Sequence, residues 1–426
     1  MTLARGLPPL RVERALRLLP DVDALGPLRA FLVSTSKPRP AVEPYRTVGK
    51  RIVQPAFALR EFVPRAIAGV AEHLSALYAA AVEALEAEQR GDMRGIVHAL
   101  LSAGEREERA GHFTQARVWY DHALAAAEGL HDRRPEIESL RRLGDVAIAH
   151  GNVVEGGRYF QRSFALADDE RDARGAALAC LGLGAVALQE GHAQGAESWY
   201  ARGLSHAVDD VRLTASLFLG LAEVARARDD LECVEQHLRV ALELLEPLDD
   251  VDGIARCQDA WARLEAQLGN VDAALAHYRD ALARLHKAGS SVALELDIRL
   301  DLCQLFLDGQ RLPDAEDEIR RAEESSIVHN LTRQLAHVYV MMGKMRAQQH
   351  DETGFVFFEK AAELCRGTEP FPRLEARVYL EYGLFRQQLG SREEARALLE
   401  RAQEILEDFG SSAALVEVSA QISDLT

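Results

Sequence analysis

Large side chains recur along this chain as Tyr120, Phe160, Tyr200, Leu238, Tyr278, Ile319, Phe358 and Leu399, 38 to 41 residues apart. Each follows, by about nine residues, a glycine or a turn-forming pair. The glycines are Gly111, Gly151, Gly191, Gly269, Gly309 and Gly390, and Asp229-Asp230 and His350-Asp351 fill the two places where glycine is missing. Self-similarity at such a period marks a repeat array. Within one period, AALACLGLGAVALQ reads as a helix, EGHAQ as a turn and GAESWYARGLSHA as a second helix. Glycine suits the turn because a residue just past a helix end often takes a left-handed backbone, which only glycine adopts cheaply. Neither helix can bury its apolar stripe alone, so the units must stack into an all-α solenoid.

Composition agrees with stacked helices. Apolar residues make up 48% of the 426 but aromatics only 6%, so Ala, Leu and Val fill the narrow helix contacts, which argues against a β-rich fold. No stretch of about 18 uncharged apolar residues occurs, and no apolar run follows the first charges, so neither a membrane span nor a signal peptide is expected and the cytoplasm is the expected location. Cys180, Cys233, Cys257, Cys303 and Cys365 are scattered singly, without the CxxC pairing of zinc and redox sites. They read as reduced, small, mostly buried residues, with no metal implied. The net charge of −17 argues against a nucleic-acid-binding body. It is unevenly placed: residues 1 to 65 sum to +7, leaving −24 for the remainder, a small basic head on an acidic body.

The repeat marks resemble those of the tetratricopeptide repeat family. Leu143-Gly144 and Leu183-Gly184 match its first-helix Leu-Gly pair. Small residues fall twelve places on, at Ala116, Gly156, Ala196, Ala274 and Ala395, and again just after the large rung, at Ala123, Ser163, Ala241, Ala281, Ala322, Ala361 and Ala402. The match spans residues 95 to 408. Its period is near 40 rather than the family's 34, the family's first-helix aromatic is mostly absent, and the closing proline is matched only loosely, as at Pro247. Longer units of this kind resemble those of bacterial regulatory and adaptor proteins, and the Arg-rich, Lys-poor composition suits a GC-rich bacterial genome. The resemblance implies a right-handed α-α superhelical solenoid of helix-turn-helix repeats.

Four segments follow. Residues 1–64 hold nine of the fourteen prolines, which excludes a long helix; short helices over 10–19 and 22–31 and a linker near 35–50 are expected. A helix or half-repeat occupies 65–94, about eight repeats occupy 95–410, and 411–426 form a capping helix, which a solenoid needs in order to end in water.

No HExxH, GxSxG, GxxxxGK or strand-borne GxGxxG is present, so catalysis and cofactors are not expected. His122, His237 and His277 read as packed or surface histidines near the large rung. Asp168-Asp169 and Asp249-Asp250 read as helix caps, and Glu105, Glu107 and Glu108 as a solvated helix face.

The family resemblance implies that first helices line a concave groove. Its positions fall on Glu138, Arg141 and Asp145 in the second unit, Glu223 and Arg226 in the fourth, and Arg256, Asp259 and Arg263 in the fifth. Leu178, Leu181 and Leu188 make an apolar patch in the third. Paired charge beside an apolar anchor suits a protein or peptide partner; nucleic acid and small-molecule ligands are not expected. The Lys and Asn of the family's chaperone-tail clamp are absent from these sites. Arg11, Arg14, Arg17, Arg46, Lys50 and Arg51 form a separate basic head that could meet an acidic partner, anionic lipid or the acidic body itself. The expected function is an adaptor or scaffold in bacterial signalling, polarity or surface-appendage regulation; the alternative is a peptide-sensing regulator whose solenoid compacts on binding.

Overall fold

The computed structural model describes Ala80, Glu83, Ala84, Glu86, Ala87 and residues 90 to 424, apart from 110, 129, 208, 330, 368, 369, 410 and 411. The segment 1–64, with Arg11, Arg14, Arg17, Arg46, Lys50 and Arg51, lies outside these residues, as does most of the helix expected over 65–90. From Met93 on, the regular elements of the described residues are helical. They run α1 (Met93–Arg109), α2 (Phe113–Ala127), α3 (Arg134–Ala149), α4 (Val153–Asp169), α5 (Ala173–Gln189), α6 (Ala193–His206), α7 (Val211–Ala227) and α8 (Leu231–Leu245). After a short 3-10 turn they continue as α9 (Val251–Gln267), α10 (Val271–Ala288), α11 (Val292–Asp308), α12 (Leu312–Val328) and α13 (Thr332–Gln348). A second such turn precedes α14 (Phe355–Cys365), α15 (Pro372–Gln388), α16 (Arg392–Phe409) and α17 (Ser412–Asp424). The trace divides into two compact units, one running up to Leu143 and taking in Val328–Asn330, the other comprising Gly144–Ile327 and Leu331–Thr426.

In the first unit α1 packs against α2. Trp119, Tyr120 and Ala123 of α2 are fully buried, with Tyr120 against Gly104 of α1. The glutamates that read as a solvated face are not one. Glu107 is 2% exposed and bonds the His112 ring at 2.8 Å, and Glu108 accepts from the Tyr120 hydroxyl at 2.6 Å. A buried phenol and a basic neighbour needed acceptors, and α1 supplied them.

The second unit is an all-α solenoid of helix pairs, and its first two joints are rings set against glycines. Phe160 of α4 is 1% exposed and lies between Gly144 of α3 and Gly182 of α5. Tyr200 of α6 lies in the same way between Gly184 of α5 and Gly220 of α7. A Cβ at Gly144 would come within 2.7 Å of the Phe160 ring, and one at Gly220 within 2.6 Å of the Tyr200 ring. Each of these two rings thus fastens its own first helix to the next, whereas buried Leu238, Ile319 and Leu399 hold the corresponding place in α8, α12 and α16.

Aspartates set the helix starts. Asp172, Asp210, Asp230 and Asp250 cap α5, α7, α8 and α9, accepting from backbone N–H groups three residues on at 3.0 to 3.1 Å. Asp250 is therefore the cap the sequence suggests, whereas Asp168 and Asp169 lie in the last turn of α4. Arg174 of α5 reaches the α7 cap Asp210 at 3.0 Å, and Arg212 of α7 reaches the α9 cap Asp250 at 3.0 Å, so caps also tie successive first helices together.

Turn chemistry follows the repeat with one exchange. Gly151, Gly191, Gly269 and Gly390 are left-handed, and Asp229 and His350 take that conformation where glycine is missing. Gly309 does not; it stays at φ −82° and Gln310 carries the left-handed φ of 53°. Here α11 runs on through Asp308, which moves the reversal one residue along.

Successive first helices α5, α7, α9, α11, α13 and α15 touch one another as well as their own partners. The stack therefore bends with its first helices inward. The bend is large enough that Gly151, in the α3–α4 turn, lies against the start of α15: a Cβ there would be 3.0 Å from the Arg373 Cβ.

The joint predicts non-additive mutants. Gly144→Ala should cost about 1–3 kcal/mol by overpacking, and adding Phe160→Leu should recover part of that loss. Urea denaturation of the full chain measures it; simple addition of the two losses would show that the ring and the glycine are not coupled.

Candidate functional site

The inner face of the second unit concentrates charge. Ala222 of α7 and Ala262 of α9 are buried, and the residues that follow them, Glu223 and Arg263, meet across the two helices at 3.3 Å. Arg226 closes on Glu223 at 2.7 Å from one turn further along α7. On α9, Asp259 pairs with Arg263 at 3.1 Å, and Asp301 of α11 approaches the same guanidinium at 4.0 Å. Asp297 of α11 accepts from Arg333 of α13 at 3.1 Å and from Gln334 at 3.3 Å. Lys344 of α13 meets Glu381 of α15 at 3.0 Å.

Crowding on this face takes water away from the charges. Burial, only partly offset by Arg263 and reinforced by the Asp301 carboxylate, pushes Asp259 up to about 7. Burial likewise raises Asp297 and Asp301 above the ordinary aspartate range. His337 of α13 is driven down to about 3, first by burial and then by Arg377 and Arg333, so it is neutral at physiological pH. Asp259 in its protonated form bonds the Asp301 carboxylate, whereas Arg263 Nε and Gln304 Oε1 are buried with no hydrogen-bond partner. Unsatisfied buried polar atoms of this kind cost stability and are rare in folded chains. These two lie on adjacent first helices, α9 and α11, among half-neutralised charge.

Of the residues singled out by sequence, the structure brings together Glu223, Arg226, Asp259 and Arg263, and Arg256 acts electrostatically on Asp297 from the preceding turns of α9. Glu138 and Arg141 belong to the first unit, where Arg141 bonds Glu138 at 2.9 Å. There Arg142, one residue beyond the expected site, joins Glu138 at 3.0 Å, Glu108 at 3.6 Å and Glu105. Asp145 belongs to the second unit. Leu178, Leu181 and Leu188 are half-buried against the core around Tyr200. His277 stacks on Trp261 with centroids 5.8 Å apart, and His237 packs beside Phe218.

Sequence reasoning missed Asp297, Asp301, Arg333, His337, Arg373 and Arg377. A signal existed. Glu223, Arg263, Asp301, His337 and Arg377 follow one another at 40, 38, 36 and 40 residues, and from α9 on each has a charged residue four places earlier.

Among the described residues, no group of three or more His, Cys, Asp or Glu is placed to hold a metal ion, and no helix is long and apolar enough to cross a membrane. The cysteines are free, and burial raises the Cys180 thiol to about 11 and those of Cys257, Cys303 and Cys365 to about 12, which leaves them unreactive.

No family model matches the sequence, and no curated protein does. Among solved structures, the Rap conjugation gene regulator of the plasmid pLS20, in complex with a Phr peptide, aligns at 12% identity and a TM-score of 0.50, over 83% of this chain and 94% of that one. NprR in complex with its cognate peptide NprX aligns at 13% identity and 0.47, over 77% and 98%. A human IFIT1 dimer with PPP-AAAA aligns at 15% and 0.48, over 83% and 79%. The first of these likenesses establishes the fold, a solenoid of tetratricopeptide-like helix pairs.

Asp259 and His337 predict opposite pH slopes. Asp259 holds its proton on folding, so its stabilising contribution is lost as pH rises from about 4 through about 7. His337 gives up the proton that the unfolded chain would bind, so its contribution is lost as pH falls from 6.5 towards 3. Relative to wild type, Asp259→Asn should make the melting temperature climb more steeply from pH 4 to 6.5, and His337→Gln should make it climb less steeply or fall. Parallel melting curves for all three proteins across that range would contradict both assignments.

Proposed function

We propose that the chain is a peptide-binding regulatory protein whose ligand, a short segment of mixed charge, lies along the inner face of α7, α9, α11, α13 and α15. The observation that carries the reading is the pair of buried, unpartnered polar atoms at Arg263 and Gln304, on adjacent helices of the inner face. A folded chain does not ordinarily leave such atoms unsatisfied, and the N–H and C=O groups of an extended peptide would satisfy them. Partly desolvated charges on both sides strengthen each hydrogen bond so formed. Two of the similar solved structures hold a peptide by their own description, which supports the reading by analogy of fold.

A bent stack also offers a response. A ligand that bridges α7 to α15 binds the tighter bend better than the looser one, and so shifts the population toward it. That makes the peptide-sensing alternative the better supported account, with the groove serving a ligand and the altered bend serving the readout. The same surface would serve an adaptor if its occupant were a segment of a larger protein.

Full-length protein purified from its native cytoplasm, denatured in acid and examined by mass spectrometry should release short peptides. Arg263→Glu should reduce retention of a random hexapeptide pool by about tenfold or more, the effect of breaking a desolvated charge pair. Small-angle scattering should show a smaller radius with the pool bound. Retention equal in wild type, Arg263→Glu and Asp259→Asn would sink the groove, and release of only large proteins would favour the adaptor.

A further inference from the structure

Most basic side chains on the inner face have a carboxylate within bonding distance: Arg226, Arg263, Arg333 and Lys344 all do. Arg373 and Arg377 of α15 are different. They stand four residues apart on one side of the helix, both are exposed, and neither has an ion-pair or hydrogen-bond partner among the described side chains. Their mutual influence is repulsive: although the Arg373 side chain reaches solvent, partial loss of water and then the Arg377 charge lower its proton affinity, and Arg377 also depresses His337 while acting favourably on Asp301 from beyond ion-pair distance. Arg373 lies in the first turn of the 17-residue helix α15, where the backbone dipole adds positive potential. In a chain of net charge −17, neither of these clustered guanidinium groups closes to ion-pair distance with a carboxylate among the described residues.

The two arginines line a cleft of about 280 Å³ between α15, α16 and α17, with Ala376, Leu380, Leu406 and Val418 among its apolar lining. Glu381 and Glu417 also border it; Glu381 is held by Lys344, and Glu417 stands exposed at the rim. The volume is at the small end of ligand sites, suited to one side chain rather than to a nucleotide. Two forked donors beside a small apolar cleft match one chemical object, a carboxylate with an apolar substituent next to it.

We infer that this cleft anchors the C-terminal end of a bound peptide: Arg373 and Arg377 take the free carboxylate, and the cleft between α15 and α17 takes the last, apolar side chain. The upstream residues then run along the inner face over α13 and α11, which rests on the groove reading above, whereas the anchor itself does not. A polarity for the ligand follows, with its C-terminus at α15 and its more charged part against Arg333, Asp297, Asp301 and Asp259.

The test uses the full chain and small probes, so that anchor and groove are scored separately. In saturation-transfer NMR, N-acetyl-leucine should bind at least about tenfold more tightly than N-acetyl-leucinamide, the difference being one charge-assisted contact. Arg373→Gln and Arg377→Gln should each weaken it, and the double variant should abolish the preference while melting like wild type. Equal binding of acid and amide, or an unchanged preference in the double variant, would overturn the anchor. So would displacement by equimolar inorganic phosphate, which would mark a general anion site. Random hexapeptide pools with free and with amidated C-termini complete the design. A free-acid preference that disappears in the double variant supports the anchor, and equal retention of both pools overturns it while keeping the groove. Retention of neither pool, with N-acetyl-leucine still bound, keeps the anchor and overturns the groove.

Discussion

The second unit depends on rings wedged against glycines. Phe160 and Tyr200 each occupy the space that two missing Cβ atoms leave open, one on their own first helix and one on the next. A ring so placed contributes its full burial to a joint between three helices. Because the glycines belong to first helices, those helices approach one another closely, and the stack bends toward them. The ring sets the spacing of the outer helices, and the glycines permit the closeness of the inner ones.

The charged face is a consequence of that bend. On a straight stack, Glu223, Arg263, Asp301 and Arg377 would be solvated groups whose pairing is worth little. Drawn together on the inside of a curve, they lose water without gaining a complete set of partners. Asp259 then holds a proton near neutrality and His337 loses one, while buried atoms of Arg263 and Gln304 go without hydrogen bonds. Buried ion pairs are poor sources of stability because desolvation consumes most of the Coulombic gain. A face built this way gains most from an occupant that brings its own donors and acceptors, and the unpaired Arg373 and Arg377 mark the end at which it lacks an anion.

Much of the fold is legible in the sequence because it is local and repeated. The Tyr120-to-Leu399 rung, the glycine turns and the Asp250 cap follow from helix geometry and cap chemistry. Where the pattern slipped, the cause was also local, as when α11 ran to Asp308 and passed the left-handed residue from Gly309 to Gln310. The inner face was only half legible. Glu223, Arg226, Asp259 and Arg263 fall at positions that a family pattern marks, whereas Asp301, His337 and Arg377 drift along their helices as the stack turns, so a fixed position within the repeat loses them. Glu105, Glu107 and Glu108 misled for a related reason: an acidic run looks solvated until a buried Tyr120 hydroxyl and Arg142 are found against it.

By itself the sequence determined the helices, their pairing and the need to stack, since each is the answer to a stripe of apolar side chains spaced within a few turns. Tertiary structure alone decided which charges meet, which of them lose water and which are left unpaired. Those outcomes depend on distances between residues some forty apart in each successive helix, and on a curvature that accumulates pair by pair until Gly151 reaches Arg373. No single repeat contains that information, because bending is a property of the sum.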